Sequence, residues 1–255
     1  MTPALLQVEG LRMRFGGLWA IDDIGFQVRQ NEIFALIGPN GAGKTTVFNC
    51  IGGFYRPTQG RIFLDERPVT GRPSHWMARQ GVVRTFQNIR LFRNLTVLEN
   101  LLVAQHRHLK TGLLPGLFGL PSYRAAERQG LRSAMAWLDR MGLADHAQRQ
   151  AGSLPYGLQR KLEIARCMIT RPRLLLLDEP AAGLNATEKS ELSRLIEGLR
   201  REHGIAILLI EHDMGLVMGI SDSILVMEQG RPIALGMPDA VRTDPRVIKA
   251  YLGEA

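Results

Sequence analysis

Five apolar residues, Ile33 to Ile37, lead without a break into Gly38-Pro39-Asn40-Gly41-Ala42-Gly43-Lys44-Thr45. That order of residue types leaves few folds open. A compact apolar run marks a strand buried on both faces, and such strands belong to parallel sheets covered by helices. The glycines that follow let successive backbone N–H groups turn toward one centre, which forms an anion nest. A helix is expected from about Lys44 to Ile51, stopped by Gly52-Gly53. Its positive N-terminal end meets the nest. The eight residues satisfy the phosphate-binding loop pattern in full. Lys44 is a point charge for β- and γ-phosphates, and the Thr45 hydroxyl is a Mg²⁺ ligand. Gly38, Pro39, Asn40, Gly41, Ala42, Gly43, Lys44, Thr45 and Thr46 are therefore the expected nucleotide contacts.

A second apolar run, Leu174 to Leu177, ends in Asp178-Glu179. An aspartate at a strand end can hold Mg²⁺, directly or through water. The adjacent Glu179 can orient or polarise an attacking water. Alone, an apolar strand ending in two acids could equally be a cap. Beside a phosphate loop, it reads as the second half of a nucleotide-hydrolysing site.

The remaining chain sorts into two kinds of segment. Leu5 to Val8, Leu11 to Phe15, Ile24 to Val28 and Ile62 to Leu64 read as short strands with Gly-containing turns among them. From about Ile89 to Thr170 the pattern turns helical, with Thr96 and Glu99 at capping-box spacing and helices near 122–141 and 158–169. After Asp178 a helix near 187–202 precedes the buried strand Ile205 to Ile210. Ser223 to Met227 and Pro232 to Leu235 form a hairpin, and a tail helix starts at Pro245, with Val247, Ile248, Tyr251 and Leu252 on one face. Alternating strands and helices at both ends imply one mainly parallel sheet. The helical block between them reads as an insertion.

Charge and cysteine usage close off other classes. The net charge is +8, but the basic residues are scattered, with only five lysines among the 32 Lys and Arg. No nucleic-acid module appears, so the excess reads as a solvated surface and no nucleic-acid partner is expected. Cys50 and Cys167 lie far apart, without metal spacing, and read as buried, inert thiols. No apolar stretch approaches the ~18 residues a spanning helix needs. Met1 to Gly10 lacks a signal pattern, so a cytoplasmic location is expected.

Three further features narrow the choice. Gln87 lies just before the helical block. Ser153-Leu154-Pro155-Tyr156-Gly157-Leu158-Gln159-Arg160 lies near its end, and His212 follows the strand at 205–210. With these, the sequence resembles the ATP-binding subunits of ABC transporters over essentially its whole length, in motif order and spacing. It is similar in particular to the branch serving uptake of branched-chain amino acids, through Leu-Pro-Tyr-Gly at 154–157, Glu163 to Met168, Pro180 to Asn185, Ile210 to Met214 and Tyr251 to Ala255.

The resemblance implies an α/β fold: a P-loop NTPase core of the ABC ATPase type, with an N-terminal antiparallel β portion and an inserted α-helical subdomain. The core would be 1–88 and 169–255, the insertion 89–168, and 228–255 a C-terminal hairpin and helix. It implies ATP and Mg²⁺ as ligands. Phe15 would stack on adenine, the alternative being a core Phe at a strand end. Gln87 would sense Mg²⁺ and the nucleophilic water. Asp178 would hold Mg²⁺, Glu179 would be catalytic, and His212 would contact the γ-phosphate as a switch. Two such subunits close head to tail, each ATP lying between one phosphate loop and the other subunit's signature. Permease subunits in the membrane complete the assembly, which puts the chain on the cytoplasmic membrane face as a peripheral subunit.

The signature departs from Leu-Ser-Gly-Gly-Gln. Here it reads Leu154-Pro155-Tyr156-Gly157-Leu158, and Pro155 cannot supply the serine hydroxyl. One lost charge-assisted hydrogen bond costs about 1.5–3 kcal/mol. Because signatures act in trans, the deficit would fall on a partner's ATP, and a heterodimer with a full-signature partner is expected. Asn185, where the family often has Asp, can still cap the next helix with Glu188. Residues 112–120, Gly-Leu-Leu-Pro-Gly-Leu-Phe-Gly-Leu, would either dock on a permease or fold onto their own subdomain. The expected function is the ATPase of an importer for branched-chain amino acids. Other solutes (urea, amides, other amino acids) and lipopolysaccharide export are the alternatives.

Overall fold

The computed structural model of the 255-residue chain describes residues 3–105 and 121–252. The apolar segment at 112–120, with Phe118, lies outside the described residues, as do His106, His108, Lys110 and the final Gly253 to Ala255. The chain opens with β1 (Ala4–Phe15), β2 (Leu18–Arg29), β3 (Ile33–Ile37), α1 (Lys44–Ile51), β4 (Gln59–Leu64), β5 (Arg67–Pro68), α2 (Ser74–Arg79) and β6 (Val82–Arg84). Among the described residues three α-helices follow: α3 (Val97–Gln105), α4 (Pro121–Arg140) and α5 (Tyr156–Met168). Alternation then resumes with β7 (Leu174–Asp178), α6 (Ala186–His203), β8 (Ala206–Ile210), α7 (Met214–Ile220), β9 (Ser223–Glu228), β10 (Arg231–Gly236), α8 (Pro238–Arg242) and α9 (Pro245–Leu252).

The chain divides into two compact units, Met1–Gln87 with Arg173–Ala255, and Asn88–Pro172. The first unit holds both sheets. One is antiparallel in the order β2-β1-β4-β5; the other runs β10-β9-β3-β8-β7-β6. In the second sheet every neighbouring pair is parallel except β10 with β9. β3, β7 and β8 are buried at every position. Each buried Leu, Ile or Phe in them contributes about 1.5–3 kcal/mol. That burial is why their sequences are unbroken apolar runs rather than alternating ones. Their C-terminal ends lie side by side, with Leu36 and Asp178 both opposite Ile210. In parallel α/β sheets the carboxyl ends of the strands are where ligands bind.

The two strands expected at 5–8 and 11–15 are one strand. Gly10 does not break it; the register against β2 shifts between Val8 and Leu11, and Gly10 takes φ 54 inside the bulge. A positive-φ glycine in a bulge keeps both flanking halves paired, whereas the same residue in isolated sequence looks like a turn. The tail helix starts at Pro245 as expected, with the short α8 ahead of it; on its expected apolar face Val247 is buried, Tyr251 is partly covered and Ile248 is exposed.

The second unit is helical. Thr96 caps α3 as expected: its hydroxyl accepts from Glu99 N at 3.1 Å, and Glu99 Oε2 accepts from Thr96 N at 2.7 Å. Leu101, Ala134, Leu138 and Leu162 are fully buried there. Among the described residues no helix is long and apolar enough to cross a membrane.

Candidate functional site

The loop between β3 and α1 is closed by two glycines that no other residue could replace. Gly38 has φ 148, and a Cβ there would lie 2.0 Å from the Met227 carbonyl oxygen. Gly43 has φ 96, and its Cβ would meet the Ala20 carbonyl oxygen at 2.5 Å. Both obstacles are backbone of neighbouring strands, so the loop lies tight against β9 and β2. It is fastened from the hairpin turn as well. Gly230 N donates to Ala42 O at 3.2 Å, and Asp22 N donates to Gly230 O at 2.8 Å. Gly43 also caps α1 without a side chain, so the first N–H groups of that helix have no side-chain cap. Such groups are what make a helix start attract anions.

Lys44 is folded over this loop. Its Nζ donates to Gly38 O at 2.7 Å and to Pro39 O at 2.9 Å. Burial pushes the ammonium below its usual range, and the charges of Glu179 and then Asp178 partly offset that. A buried cation short of full compensation favours an incoming polyanion. Thr45 is exposed at the head of α1.

The ends of β7 and β8 face the loop with acid and base. Asp178 closes β7, buried. Glu179 turns out of the strand at φ 47, a left-handed conformation that non-glycine residues adopt at a cost. Its N–H still donates to Ile210 O at 2.9 Å, extending the ladder one residue and forcing the turn. The carboxylate is then gripped from both sides. Gln87 Nε2 donates to Oε2 at 3.0 Å, and His212 Nε2 lies 3.0 Å from Oε1. A carboxylate can only accept, so His212 carries its proton on Nε2 in this arrangement. Loop, Ala20, Gln87, Glu179 and His212 line one open cleft of ≈ 280 Å³. That brings together residues drawn from widely separated parts of the sequence.

Three residues in this region had no role in the sequence reading. Glu211, buried, accepts from Ala181 N at 2.6 Å through Oε1 and from His212 N and Asp213 N at 2.9 and 3.3 Å through Oε2. It ties the loop after Glu179 to the loop carrying His212. Arg84 donates to Asp178 Oδ2 and to Asn49 Oδ1, each at 2.6 Å. Glu211 stands inside the Ile210 to Met214 segment and could have been suspected there. Arg84 and Asn49 carry no local signal.

Phe15 lies outside the lining of this cleft. It is 45% exposed at the end of β1, edge-on to Tyr55 with ring centroids 5.4 Å apart. Exposure of that size rules out the buried-core alternative. Within the helical unit, Leu154 is buried, Pro155 is the N-cap of α5 with no side-chain cap bond, and Tyr156 is exposed. Gly157 and Leu158 open the helix, half-buried. Arg160, fully buried, anchors the segment: it bonds Glu163 Oε2 at 2.8 Å and the Tyr156 hydroxyl at 3.1 Å.

Comparison with known proteins agrees with this geometry. A family model described as ABC transporter matches residues 21–182. A second, described as branched-chain amino acid ATP-binding cassette transporter, matches residues 231–255. The chain is 60% identical over 255 residues to the high-affinity branched-chain amino acid transport ATP-binding protein LivG of Salmonella typhimurium, covering 100% of both chains. It is 58% identical, again over 255 residues and 100% of both, to the corresponding BraF of Pseudomonas aeruginosa. Its fold superposes on the crystal structure of the ADP conformation of MJ1267, an ATP-binding cassette of an ABC transporter. The TM-score is 0.86 at 31% identity, covering 99% of this chain and 100% of that one.

Proposed function

Because the chain belongs to the family of ABC transporter ATP-binding subunits, we propose that it hydrolyses ATP to drive import of branched-chain amino acids through membrane permease subunits. The observation that carries the catalytic part is Glu179, held between Gln87 and His212 across one cleft from Lys44. The solute assignment rests on the LivG and BraF relatives and on the C-terminal family match.

Phosphoryl transfer to water needs positioning and charge compensation more than covalent chemistry. The loop N–H groups and Lys44 take the β- and γ-phosphates, which requires Lys44 to leave Gly38 O and Pro39 O. Glu179 receives or orients the attacking water. His212, protonated on Nε2, can swing from Glu179 to a γ-phosphate oxygen as ATP arrives. Phe15, exposed and beside Tyr55, offers a ring face to adenine. A Thr45 hydroxyl, a Gln87 amide and an Asp178 carboxylate are hard oxygen donors, the set that suits Mg²⁺. Among the described residues no cluster of three His, Cys, Asp or Glu competes for a softer metal. Mg²⁺ bound there with the phosphates would neutralise their developing charge.

Pro155 favours a heterodimer. It caps α5 without a side-chain donor, so the ATP it faces in a partner would be held less well than the ATP on Lys44. Such a subunit works peripherally at the cytoplasmic face of the membrane. Glu179→Gln is expected to trap ATP and stop phosphate release in the assembled transporter; unchanged release removes Glu179 as the catalytic residue. Lys44→Ala should cost more hydrolysis than the equivalent change in the partner, and equal losses argue for symmetric sites.

A further inference from the structure

Asp178 does not stand alone at the end of β7. Arg84, the last residue of β6, lies beside it with side chains only 7% and 4% exposed, respectively. Its NH2 donates to Asp178 Oδ2 and its NH1 to Asn49 Oδ1 on α1, each at 2.6 Å. The guanidinium is further enclosed by three rings: Phe48, Phe54 and Phe86, with centroids 5.4, 5.7 and 5.4 Å from its central carbon. A planar guanidinium in such a cage has little freedom to rotate, and cation–π contacts help hold its charge out of water. The Asp178 backbone is pinned too, its N–H donating to the buried Thr85 hydroxyl at 3.2 Å.

We infer that Arg84 is a positioning residue that occupies one oxygen of Asp178, leaving Oδ1 for the cation, and so selects Mg²⁺ over larger divalent cations. The inference rests on the Mg²⁺ reading of Thr45, Gln87 and Asp178 given above. Mg²⁺ demands six ligands in a strict octahedron and takes one oxygen per carboxylate, whereas Ca²⁺ takes six to eight and readily accepts both. A carboxylate with Oδ2 locked by a rigid arginine can serve the first cation well and the second poorly.

The test is equilibrium binding, with no turnover measured. The full chain is titrated with Mg²⁺ or Ca²⁺ in the presence of a fluorescent ATP analogue, and bound nucleotide is read by anisotropy. The wild type is expected to half-saturate at lower Mg²⁺ than Ca²⁺. In Arg84→Met, whose unbranched apolar side chain fills the space among the three rings, the freed carboxylate should move the Ca²⁺/Mg²⁺ ratio about tenfold toward Ca²⁺. Arg84→Lys keeps a cation in the cage and carries the same test if the methionine variant does not fold. A lysine lacks the fixed fork that grips Asn49 and Oδ2 together, so the ratio moves the same way by less. A structural role alone would weaken both cations alike. A ratio unchanged within about twofold in a folded variant overturns the inference. Wild-type nucleotide binding that ignores both cations overturns the Mg²⁺ reading itself, and that result is seen in the wild-type arm alone.

Discussion

Replacing Glu211 by Gln should slow hydrolysis without weakening ATP binding. The carboxylate serves three N–H groups with two oxygens: Ala181 at 2.6 Å on Oε1, then His212 at 2.9 Å and Asp213 at 3.3 Å on Oε2. A glutamine has one acceptor where the glutamate has two. Whichever way its amide turns, an NH₂ group faces at least one N–H that it cannot satisfy, in a site where the glutamate is buried. Losing one charge-assisted bond of this kind costs about 1.5–3 kcal/mol. If that loss falls on the placement of His212 and of the loop after Glu179, it appears in the transition state. At ~1.4 kcal/mol per factor of ten, kcat falls about ten- to a hundredfold. None of the three bonds touches the phosphate loop, so KM for ATP should stay near the wild-type value. Steady-state phosphate release by the assembled transporter at saturating and limiting ATP separates the two constants, with circular dichroism as the check on folding. A kcat within about twofold of wild type, or a loss carried wholly by KM, refutes the reasoning.

Three further outcomes follow from the same geometry. Gly43→Ala should abolish binding of an ATP analogue in equilibrium dialysis, because a Cβ would sit 2.5 Å from Ala20 O at a φ of 96. Asn185→Ala removes a reciprocal cap, Glu188 N to Asn185 Oδ1 at 3.0 Å and Asn185 N to Glu188 Oε2 at 2.9 Å. It should destabilise by about 1 kcal/mol, and a Tm lower by about 2–4 °C in a thermal scan would match. Burial pushes the Cys50 and Cys167 thiols up to about 12, so at pH 8 only ~1 in 10⁴ is thiolate. Alkylation by iodoacetamide at that pH should therefore be negligible in the folded protein. It should rise as the pH approaches 12 or the chain unfolds; rapid labelling of the native protein at pH 8 would contradict the burial.

Much of this site is legible in sequence because its parts are local. Gly38 to Thr45 and Leu174 to Glu179 announce themselves through short-range constraints: backbone angles only glycine tolerates, and strands buried on both faces. Asn185 and Glu188 are three residues apart, and their capping box forms as the spacing implies. Arg84 and Glu211 are illegible for the opposite reason. Arg84 meets Asp178 across 94 positions, and Glu211 meets Ala181 across 30. In sequence, Arg84 is one of 32 basic residues. What sets it apart is its three-ring cage, and that exists only once β6, α1 and the loop after α1 have come together. Gly10 shows how a local signal can mislead, because turn and bulge use the same backbone angle and only strand pairing tells them apart. In the tail the helix from Pro245 forms as its pattern implies, but of its apolar face Val247 packs with Ile37 and Val226 while Ile248 stays exposed.

The stitching of the phosphate loop to Gly230 has a practical side. Ala42 is held from a turn almost two hundred residues downstream, and Tyr251 on α9 reaches the same loop. Burial pushes its hydroxyl up to about 12, and the Gly38 N–H draws it partly back. Gly230 and Tyr251 thus brace the nucleotide loop from positions far along the chain. A chain cut after β9 would lose the Gly230 and Tyr251 bonds to its phosphate cradle, though every residue of the cradle would still be present.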